Sequence, residues 1–466
     1  TKVTEGTTSV YVTVEVSSSL MLLPETPMTG RLDNARVGYF TNPLLSYSDG
    51  QQRVSKQQFI TRWRLEPKPE DRERYLRGEL VEPKKPIIIY IDPVTPKKWV
   101  PYLIQGVNDW QAAFEKAGFK NAIFGKEAPT DDPTWSLEDA RHSAIVYKPS
   151  DIPNASGPHV HDPRSGEILE THINWYHNVM SLLYNWYIVQ AGAIDPGARK
   201  PMFDDELMGE LVRFVSSHEV GHTLGLRHNF GSSNTVPVEK LRDKAWVEAN
   251  GHTPSIMDYA RFNYVAQPGD KERGVKLTPP RFGEYDKYLI KWTYTPVFNV
   301  NSAEEEAIIT GKWISDAIKE NPVYRYGKQQ VYGVVDPRSQ TEDIGDNSMK
   351  ATRYGIKNLK YIMNNLESWN SEGEDTYEYR EDLFIGIVEQ LAMYVTHVAG
   401  NVGGYFVNEV KEGDTMPRFA QIPKAQQKEA LNYLFEIYND LNWLDNKNLL
   451  NSQFPVPLNK LFKTSC

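Results

Sequence analysis

The most informative segment of the sequence is His218-Glu219-Val220-Gly221-His222-Thr223-Leu224-Gly225-Leu226-Arg227-His228. His218 and His222 are four residues apart, so on a helix both imidazoles lie on one face and can bind one metal ion. Glu219 is rotated from them by about 100° around the helix axis, so its carboxylate can approach a water on that metal without being a ligand. The segment therefore predicts a helical metal site with an adjacent general base.

The third histidine of the segment requires a turn in the chain. If the helix continued, His228 would point away from His218 and His222. Gly225 lies where the chain must leave the helix, and glycine adopts a positive φ at no steric cost. Three neutral imidazoles leave a fourth coordination position open, as catalytic rather than structural zinc sites do. We therefore predict one catalytic Zn²⁺ held by these three histidines.

A methionine-containing segment, Ser255-Ile256-Met257-Asp258-Tyr259, follows downstream. Together with the three-histidine pattern it resembles the metzincin clan of zinc endopeptidases, which places a Met-containing turn beneath the metal. The resemblance assigns that turn to Met257. In astacin-like and serralysin-like members, a tyrosine at the spacing of Tyr259 lies beside the zinc, can ligate the resting metal and can donate a hydrogen bond to the oxyanion. The alternative for Tyr259 is a packed ring whose hydroxyl bonds to the backbone, and we expect Asp258 to fix the turn by hydrogen bonding.

Weaker similarities narrow the resemblance to one family. Five segments resemble parts of large exported bacterial zinc-dependent metalloproteases, namely residues 36–40, 61–67, 118–123, 162–169 and 336–350. Asn229 follows His228 where astacins and matrixins usually place Glu or Ser, so neither of those subfamilies is assigned. The resemblance implies a protein or peptide substrate and an exported location, which is the periplasm, the outer envelope or the extracellular space.

The chain divides into three predicted regions. Residues 1–85 form a β-rich segment and linker, residues 86–300 a metzincin-like catalytic domain, and residues 301–466 a mainly helical region. The catalytic domain has an upper half, 86–228, and a lower half, 229–300, with the active-site cleft between them. The fold class we expect is α+β or mixed α/β, with a zincin core and a partly parallel sheet.

Local patterns predict the individual elements. Alternation and short apolar runs predict strands at 10–16, 36–40, 61–65, 87–91 and 143–147, and a ribbon over 155–178 that turns at 162–166. Apolar stripes predict helices over 99–114, 204–225 and 284–292, and further helices around 356–366, 383–398 and 431–441. Residues 66–85 carry three prolines and many charges, so we expect a surface linker there.

Composition and charge exclude several classes of protein. The 52 basic and 61 acidic residues give a net charge of −9 without a basic block, so no nucleic-acid partner is expected. The apolar runs are too short to cross a bilayer. Cys466 is the single cysteine, which excludes an internal disulfide and a Cys-based zinc site. The chain begins at Thr1 without a signal peptide, so we expect a processed form or an excised piece. Oligomeric state and cleavage specificity stay open.

The other histidines have weaker patterns. His159, His161 and Asp162 resemble part of a second metal site, but polar side chains are also common beside a tight turn, which is the interpretation we favour. The resemblance to metzincins places an edge strand that pairs with extended substrate within residues 157–175. The remaining histidines considered are expected to be structural or surface residues, and these are His142, His172, His177, His252 and His397.

Two functions from different classes are compatible with these patterns. The first is a zinc-dependent endopeptidase, in which Glu219 takes a proton from a metal-activated water and delivers it to the leaving amine. The second is a non-catalytic cell-envelope binding protein on the same scaffold, which would be expected to lack Glu219 or a ligand. A zincin with a distal Glu as its third ligand is a lesser alternative. Residues 1–80 are an inhibitory pro-segment, a β module or a docking surface, and Asp33 is a candidate to cap the metal in a latent form.

Overall fold

The computed structural model describes residues 2–5, 8–11, 13, 16, 18–330, 333–369, 378–412, 414 and 416–445. The strands are β1 (Lys2–Glu5), β2 (Thr8–Tyr11), β3 (Thr41–Ser46), β4 (Ser55–Ile60), β5 (Ile87–Ile91), β6 (Ile123–Glu127), β7 (Ser143–Lys148), β8 (Ala155–Ser156), β9 (Val160–His161), β10 (Ile168–Glu170), β11 (His172–Tyr176), β12 (Tyr405–Val407) and β13 (Phe419–Gln421). The α-helices are α1 (Arg72–Leu76), α2 (Val100–Asn108), α3 (Gln111–Glu115), α4 (Val179–Ala191), α5 (Asp205–Thr223), α6 (Lys244–Asn250), α7 (Glu284–Tyr294), α8 (Ala303–Glu320), α9 (Ser348–Trp369), α10 (Glu378–Ala399) and α11 (Lys424–Asn439). Short 3₁₀ helices lie at Pro69–Asp71, Pro196–Ala198, Ser233–Thr235, Val238–Arg242, Pro322–Tyr324 and Asn442–Leu444.

A five-stranded mixed sheet forms the centre of the molecule, with the strand order β6-β5-β7-β11-β8. β5 is parallel to β6 and β7, and β11 is parallel to β7, whereas β8 runs antiparallel to β11. Ile89, Ile145 and Ile173 are fully buried within it, as expected for parallel strands that are covered on both faces. The predicted mixed α/β fold with a partly parallel sheet is confirmed.

The helix that carries the first two histidines, α5, packs against α2. A Cβ on Gly106 of α2 would lie 2.5 Å from Ser216 Cβ of α5, so the two helices approach closely. The predicted helix over 99–114 is divided into α2 and α3 because Asp109 and Trp110 turn toward α5. Asp109 forms an ion pair with Arg213, and Trp110 Nε1 donates to the Ser217 carbonyl over 2.8 Å.

The N-terminal region differs from its prediction. Neither 36–40 nor 61–65 is a strand: residues 36 and 37 lie in a turn and a bend, and each segment makes one isolated bridge, Tyr39 with Leu226 and Arg62 with Glu167. Of the predicted strand 10–16, residues 10 and 11 lie in β2, residues 13 and 16 are outside any strand, and the rest fall outside the described residues. The partners of segments 36–40 and 61–65 are the loop after α5 and the turn of the 162–166 region, and such distant contacts are not identified by alternation in the sequence.

The predicted surface linker at 66–85 is partly wrong. It contains α1, and Val81 is buried with 1% of its surface exposed. The backbone N–H of Val81 donates to the Gly118 carbonyl, and the Val81 carbonyl accepts from Lys120 N–H, over 3.1 and 3.0 Å. This segment is therefore bound to the loop that precedes β6.

The helices predicted after residue 300 are confirmed as α9, α10 and α11. α10 packs against α4, α9 and α11, and α4 in turn packs against α5, so the C-terminal helices are joined through α4 to the central part of the molecule. One hydrophobic cluster includes Val37, Ile145, Leu391 and Leu444 and thus contains residues of all three predicted regions. The boundaries at 85/86 and 300/301 stay predictions. No helix in the described part of the chain is long and apolar enough to span a membrane.

Candidate metal centre

The three predicted histidine ligands converge at the end of α5. His228 Nε2 lies 3.1 Å from His222 Nε2 and 3.3 Å from His218 Nε2. Tetrahedral zinc with Zn–N bonds of about 2.0–2.1 Å separates its nitrogen ligands by about 3.3 Å, so the spacing fits this ion. Among the described residues this is the group of His, Cys, Asp and Glu side chains whose ligand atoms meet closely enough to hold a metal, and it contains no carboxylate.

The turn that brings His228 back depends on Gly225. This glycine has φ of +93°, and a Cβ there would overlap the carbonyl oxygen of Thr61. After the turn, the Leu226 N–H donates to the Gly221 carbonyl over 3.1 Å, which ends the helix and redirects the chain. Glycine is therefore required both for its backbone conformation and for the close approach of a second segment.

Each histidine has an oxygen partner on Nδ1, which leaves Nε2 free for the metal. Nδ1 of His218 donates to the Ile256 carbonyl and Nδ1 of His222 to the Leu226 carbonyl, each over 2.8 Å. Nδ1 of His228 donates to Oε1 of Gln329 over 2.9 Å. Because these oxygens only accept hydrogen bonds, they fix the tautomer in which Nε2 carries a lone pair.

Burial keeps the three rings neutral at physiological pH. Burial, together with the neighbouring histidines, holds the pKa of His218 well below its usual value and lowers the pKa of His222 to about 3. The pKa of His228 is lowered as well, mainly by burial. Neutral imidazole is the form that binds zinc, so the donor set fits Zn²⁺.

Glu219 is buried beside the histidines, and its Oε2 has no hydrogen-bond partner. Burial raises the pKa of Glu219 to about 8, and a hydrogen bond from the Gly157 N–H opposes that rise. Gly157 follows the edge strand β8, and a Cβ there would lie 2.5 Å from the Glu219 carbonyl oxygen. An unpartnered buried carboxylate oxygen next to three convergent imidazoles is the arrangement expected where a metal and its water belong.

Met257 lies directly under α5. It is fully buried, and a Cβ on Gly221 would overlap its thioether. The Met257 carbonyl accepts from Asn229 N–H over 3.0 Å, next to the third histidine. Asp286 of α7 holds the turn, because its Oδ2 accepts from Ile256 N–H over 2.8 Å. The structure thus places Met257 in the predicted turn and adds Asp286, which the sequence did not identify.

Asp258 hydrogen-bonds to the surrounding chain and is not part of the convergent three-histidine group. Its Oδ2 accepts from Ser233 N–H over 2.7 Å and from Thr253 Oγ1 over 2.9 Å. Burial raises its pKa to about 8. These contacts agree with the expectation that Asp258 fixes the turn by hydrogen bonding.

The ring of Tyr259 lies against two of the three convergent histidines. Its ring is stacked on His218 with centroids 5.4 Å apart, and its centroid lies 4.5 Å from that of His228. Burial raises the pKa of the Tyr259 phenol, and the charge of Glu219 adds to the rise. Within the described ranges, no protein group hydrogen-bonds to the Tyr259 hydroxyl, so the backbone partner of the packing alternative is not found there. The role of Tyr259 at the metal stays a prediction.

A buried ion pair next to Tyr259 was not predicted. Arg261 and Glu342 are joined over 2.6 Å, and both are non-glycine residues with positive φ, +46° and +61°. The Arg261 guanidinium lies 3.2 Å from the ring centroid of Trp186 on α4, and Gln190 of the same helix donates to Glu342 over 2.7 Å. Such unfavourable backbone conformations concentrate at functional sites. No local sequence pattern marks this pair.

Gln329, the partner of His228, was also missed. It lies in the loop between α8 and α9, in a segment that is bound to the chain just after His228. Lys328 forms an isolated bridge with Asn229, and Gly327 N–H donates to Asn229 Oδ1 over 2.8 Å. A glutamine in a loop has no pattern by which sequence analysis finds it.

The other candidates are not among the side chains whose ligand atoms meet at the three-histidine group. His159 and His161 have ring centroids 5.4 Å apart, but Asp162 forms an ion pair with Arg164 over 2.7 Å. Among the described contacts none joins Asp33 to the three histidines. The remaining histidines, where they have ring hydrogen bonds, bond to nearby protein groups: His172 to the His142 carbonyl, His177 to the Tyr147 hydroxyl, His252 to the Arg261 carbonyl and His397 to the Thr341 carbonyl.

The sheet edge lies slightly earlier than predicted. We expected the edge strand within residues 157–175, but the sheet ends at β8, residues 155–156, and β11 is an interior strand. The predicted ribbon is confirmed, because β9 and β10 pair antiparallel around the turn at 162–166. Only the part of the ribbon next to the turn, β9 and β10, forms a separate two-stranded sheet, whereas its ends, β8 and β11, pair antiparallel within the main sheet.

A helix with two histidines, a returning third histidine and a methionine turn beneath them define a zincin-like domain of the metzincin type, with a fold like that of zinc metallopeptidases. The model of the family described as Met-zincin matches residues 200–464, which is more than half of the chain, and the chain therefore belongs to that family. A second family model, described as Domain of unknown function (DUF5117), matches residues 1–68. Neither a curated protein nor a solved structure matches the chain.

Proposed function

We propose that this protein is a zinc-dependent endopeptidase that hydrolyses peptide bonds in protein or peptide substrates with a single catalytic ion. The observation that carries the proposal is the convergence of three neutral imidazoles beside a buried carboxylate that has an unpartnered oxygen. A structural zinc site has four protein ligands and needs no base, whereas this set has three ligands and an adjacent base.

Each residue of the site has a separate role in the proposed hydrolysis. Nε2 of His218, His222 and His228 would hold the ion, which when bound supplies Lewis acidity and makes water more acidic. Glu219 Oε2 accepts a proton from the attacking water and later delivers it to the leaving amine. The hydrogen bond from Gly157 N–H holds the Glu219 carboxylate beside the histidines while the second oxygen stays available.

Two further groups fit the same reaction. The Tyr259 hydroxyl would donate a hydrogen bond to the oxygen on which negative charge develops, a role supported by the contacts of the Tyr259 ring with His218 and His228. The edge strand β8 leaves one side open for an extended peptide to pair with, next to the Gly157–Glu219 contact. Both roles depend on residues that already contact or adjoin the metal centre.

The alternatives are less well supported. A non-catalytic binding protein would not be expected to retain Glu219 together with all three ligands. A zincin with a distal Glu ligand is disfavoured because the convergent group contains His228 and no carboxylate. An exported location rests on the family resemblance alone and is proposed on that basis. Fractionation of producing cells tests it, and recovery of the protein only from the cytoplasm would contradict it.

Cleavage-site profiling of a peptide library tests the proposed activity. Zinc-loaded wild-type protein is incubated with the library, and new termini are mapped by mass spectrometry. Glu219→Gln with the same zinc content is the control, and we expect it to lose several orders of magnitude in turnover because it cannot accept the proton. Wild-type-like cleavage by Glu219→Gln would mean that another group is the base, and absence of cleavage by the wild type would contradict the proposal.

A further inference from the structure

The N-terminal region contributes directly to the wall of the metal centre. Phe40 N–H donates to the Gly225 carbonyl over 2.8 Å, and Arg227 N–H donates to the Gly38 carbonyl over 2.9 Å. These two hydrogen bonds join residues 38–40 to the turn between the second and third histidines. The turn at residues 225–227 is therefore paired, through its backbone, with residues 38–40 from far upstream in the chain.

A second upstream segment closes against the same turn. The carbonyl of Thr61 occupies the space where Gly225 would carry a Cβ, and Trp63 Nε1 donates to the Thr223 carbonyl over 2.8 Å. Arg62 continues the connection to the ribbon, because its carbonyl accepts from Ile168 N–H over 2.8 Å. Removal of residues 38–63 would expose the backbone of the metal-binding loop, so this region is a permanent part of the site and not a detachable cover.

Phe40 places an apolar ring beside the metal. Its ring centroid lies 5.8 Å from that of His222 and 5.9 Å from that of His159. The side chain retains 36% of its exposure, although its backbone is bound into the loop. His159 follows the edge strand β8, so the partly exposed ring of Phe40 lies near both a predicted metal ligand, His222, and the region where an extended peptide would pair.

We propose that Phe40 is a specificity-determining residue whose exposed ring, together with His159, forms a subsite for an apolar side chain of the peptide substrate next to the scissile bond. The proposal rests on the proposed peptidase function. An aromatic ring held rigidly at its backbone offers apolar contact area at little cost in side-chain entropy. The N-terminal region would thus select the substrate that the catalytic core cleaves.

Peptide binding to zinc-loaded Glu219→Gln protein tests the proposal without turnover. Three fluorescein-labelled hexapeptides differ only at one central residue, which is Gly, Leu or Phe, and their affinities are measured by fluorescence polarisation. We expect the Leu and Phe peptides to bind more tightly than the Gly peptide. When Phe40→Ala is added to this protein, the affinity for the Leu and Phe peptides should fall about three- to tenfold and the affinity for the Gly peptide should not change. Phe40→Leu should retain most of the preference for the Leu and Phe peptides over the Gly peptide.

Phe419→Ala is the matched control, because Phe419 is also an exposed phenylalanine but lies in β13. It should change no affinity. Bound zinc and melting temperature are measured for every variant, and both should be unchanged in Phe40→Ala. Equal weakening of all three peptides, or loss of zinc, would mean that Phe40 acts through His222 and would overturn the proposal. Tighter binding of all three would identify Phe40 as a cover and would also overturn it.

The two proposals fail in distinguishable ways. If the peptides bind with a preference that depends on Phe40, but the zinc-loaded wild-type protein does not cleave them, the endopeptidase proposal fails and the proposal of a Phe40 subsite stands. If the peptides are cleaved with no Phe40-dependent preference, only the subsite is wrong. If no peptide binds, the subsite is wrong as well.

Discussion

The packing of Met257 beneath the metal-binding helix can be tested by adding one methyl group. In Gly221→Ala the new Cβ overlaps the Met257 thioether and lies 3.0 Å from Trp110 Cζ2. Carbon atoms in contact are normally about 3.5–4.0 Å apart, so the thioether must retreat by more than about 1 Å. Because the neighbouring Ile256 carbonyl accepts the hydrogen bond from His218 Nδ1, this displacement should also shift His218 and lower the affinity for zinc.

The size of the effect follows from two opposing contributions. Replacing glycine by alanine within a helix stabilises it by up to about 1 kcal/mol, whereas overpacking a core costs about 1–3 kcal/mol. Gly311→Ala in α8 isolates the first contribution, because a Cβ there meets only Asn34 Nδ2 at 3.9 Å. We therefore expect Gly221→Ala to be less stable than Gly311→Ala by about 1–3 kcal/mol, and its zinc affinity to fall about 10- to 100-fold through the disturbed histidine partner.

Differential scanning calorimetry of chelator-treated protein measures the stability difference, and competition with a chelating dye measures zinc affinity. Gly311→Ala should melt at or above the wild-type temperature with unchanged zinc affinity. If Gly221→Ala and Gly311→Ala have the same melting temperature and the same zinc affinity, Met257 does not pack against Gly221. The inference that the Met257 turn supports the candidate metal centre would then be wrong.

Three further predictions concern single side chains. Gln329→Ala should lower zinc affinity about 10- to 100-fold, because His228 loses its Nδ1 partner, and Gln329→Glu should restore the wild-type affinity. If dye competition gives equal zinc affinities for Gln329→Ala and the wild type, Gln329 does not support the site. Tyr259→Phe should keep its zinc and lower kcat by about 10- to 1000-fold with little change in KM, and an unchanged kcat would leave the ring a packing role. Because burial raises the pKa of Asp258 to about 8, the folded state binds a proton there more tightly than the unfolded state. Its contribution to stability is therefore complete below the unfolded pKa of about 3.9 and is lost as pH rises toward 8. The melting temperature of Asp258→Asn should accordingly fall less than that of the wild type between pH 5 and about 8, and parallel curves would show that Asp258 is ionised throughout.

The convergence of the three histidines was predictable because its determinants are local. His218 and His222 share one face of α5, and Gly225 provides the positive φ that the return of His228 demands. The Met257 turn could be located because the short segment Ser255-Ile256-Met257-Asp258-Tyr259 resembles the methionine turn of metzincins. In each case a few consecutive residues specify the geometry, and the remainder of the fold only has to support it.

The residues that support the ligands were not predictable, since their contacts join distant parts of the chain. Gln329 is separated from His228 by 101 residues, and Asp286 from Ile256 by 30. Neither lies in a pattern that distinguishes it from an ordinary loop or helix residue. The position of the Phe40 ring beside His222 likewise follows from a pairing with the 225–227 loop that alternation alone does not reveal.

The fold shows the same division between local and distant determinants. β5 and β7 were located by their apolar runs, and α5 by its stripe. The stripe over residues 99–114 predicts one helix, but the contacts of Asp109 and Trp110 with α5 break it in two. Val81 is a lone apolar residue among charges and prolines, so its burial against the chain near Gly118 has no signal in its own neighbourhood.

Zinc titration of the chelator-stripped protein is the most direct test of the proposed zinc endopeptidase. Peptide hydrolysis and bound zinc are measured together as zinc is added. We predict that hydrolysis is absent without metal, rises in proportion to bound zinc and stops rising at one ion per chain, and that His228→Ala gains no activity at the same zinc concentration. Full activity in the stripped protein, or no hydrolysis when the site is fully loaded, would contradict it.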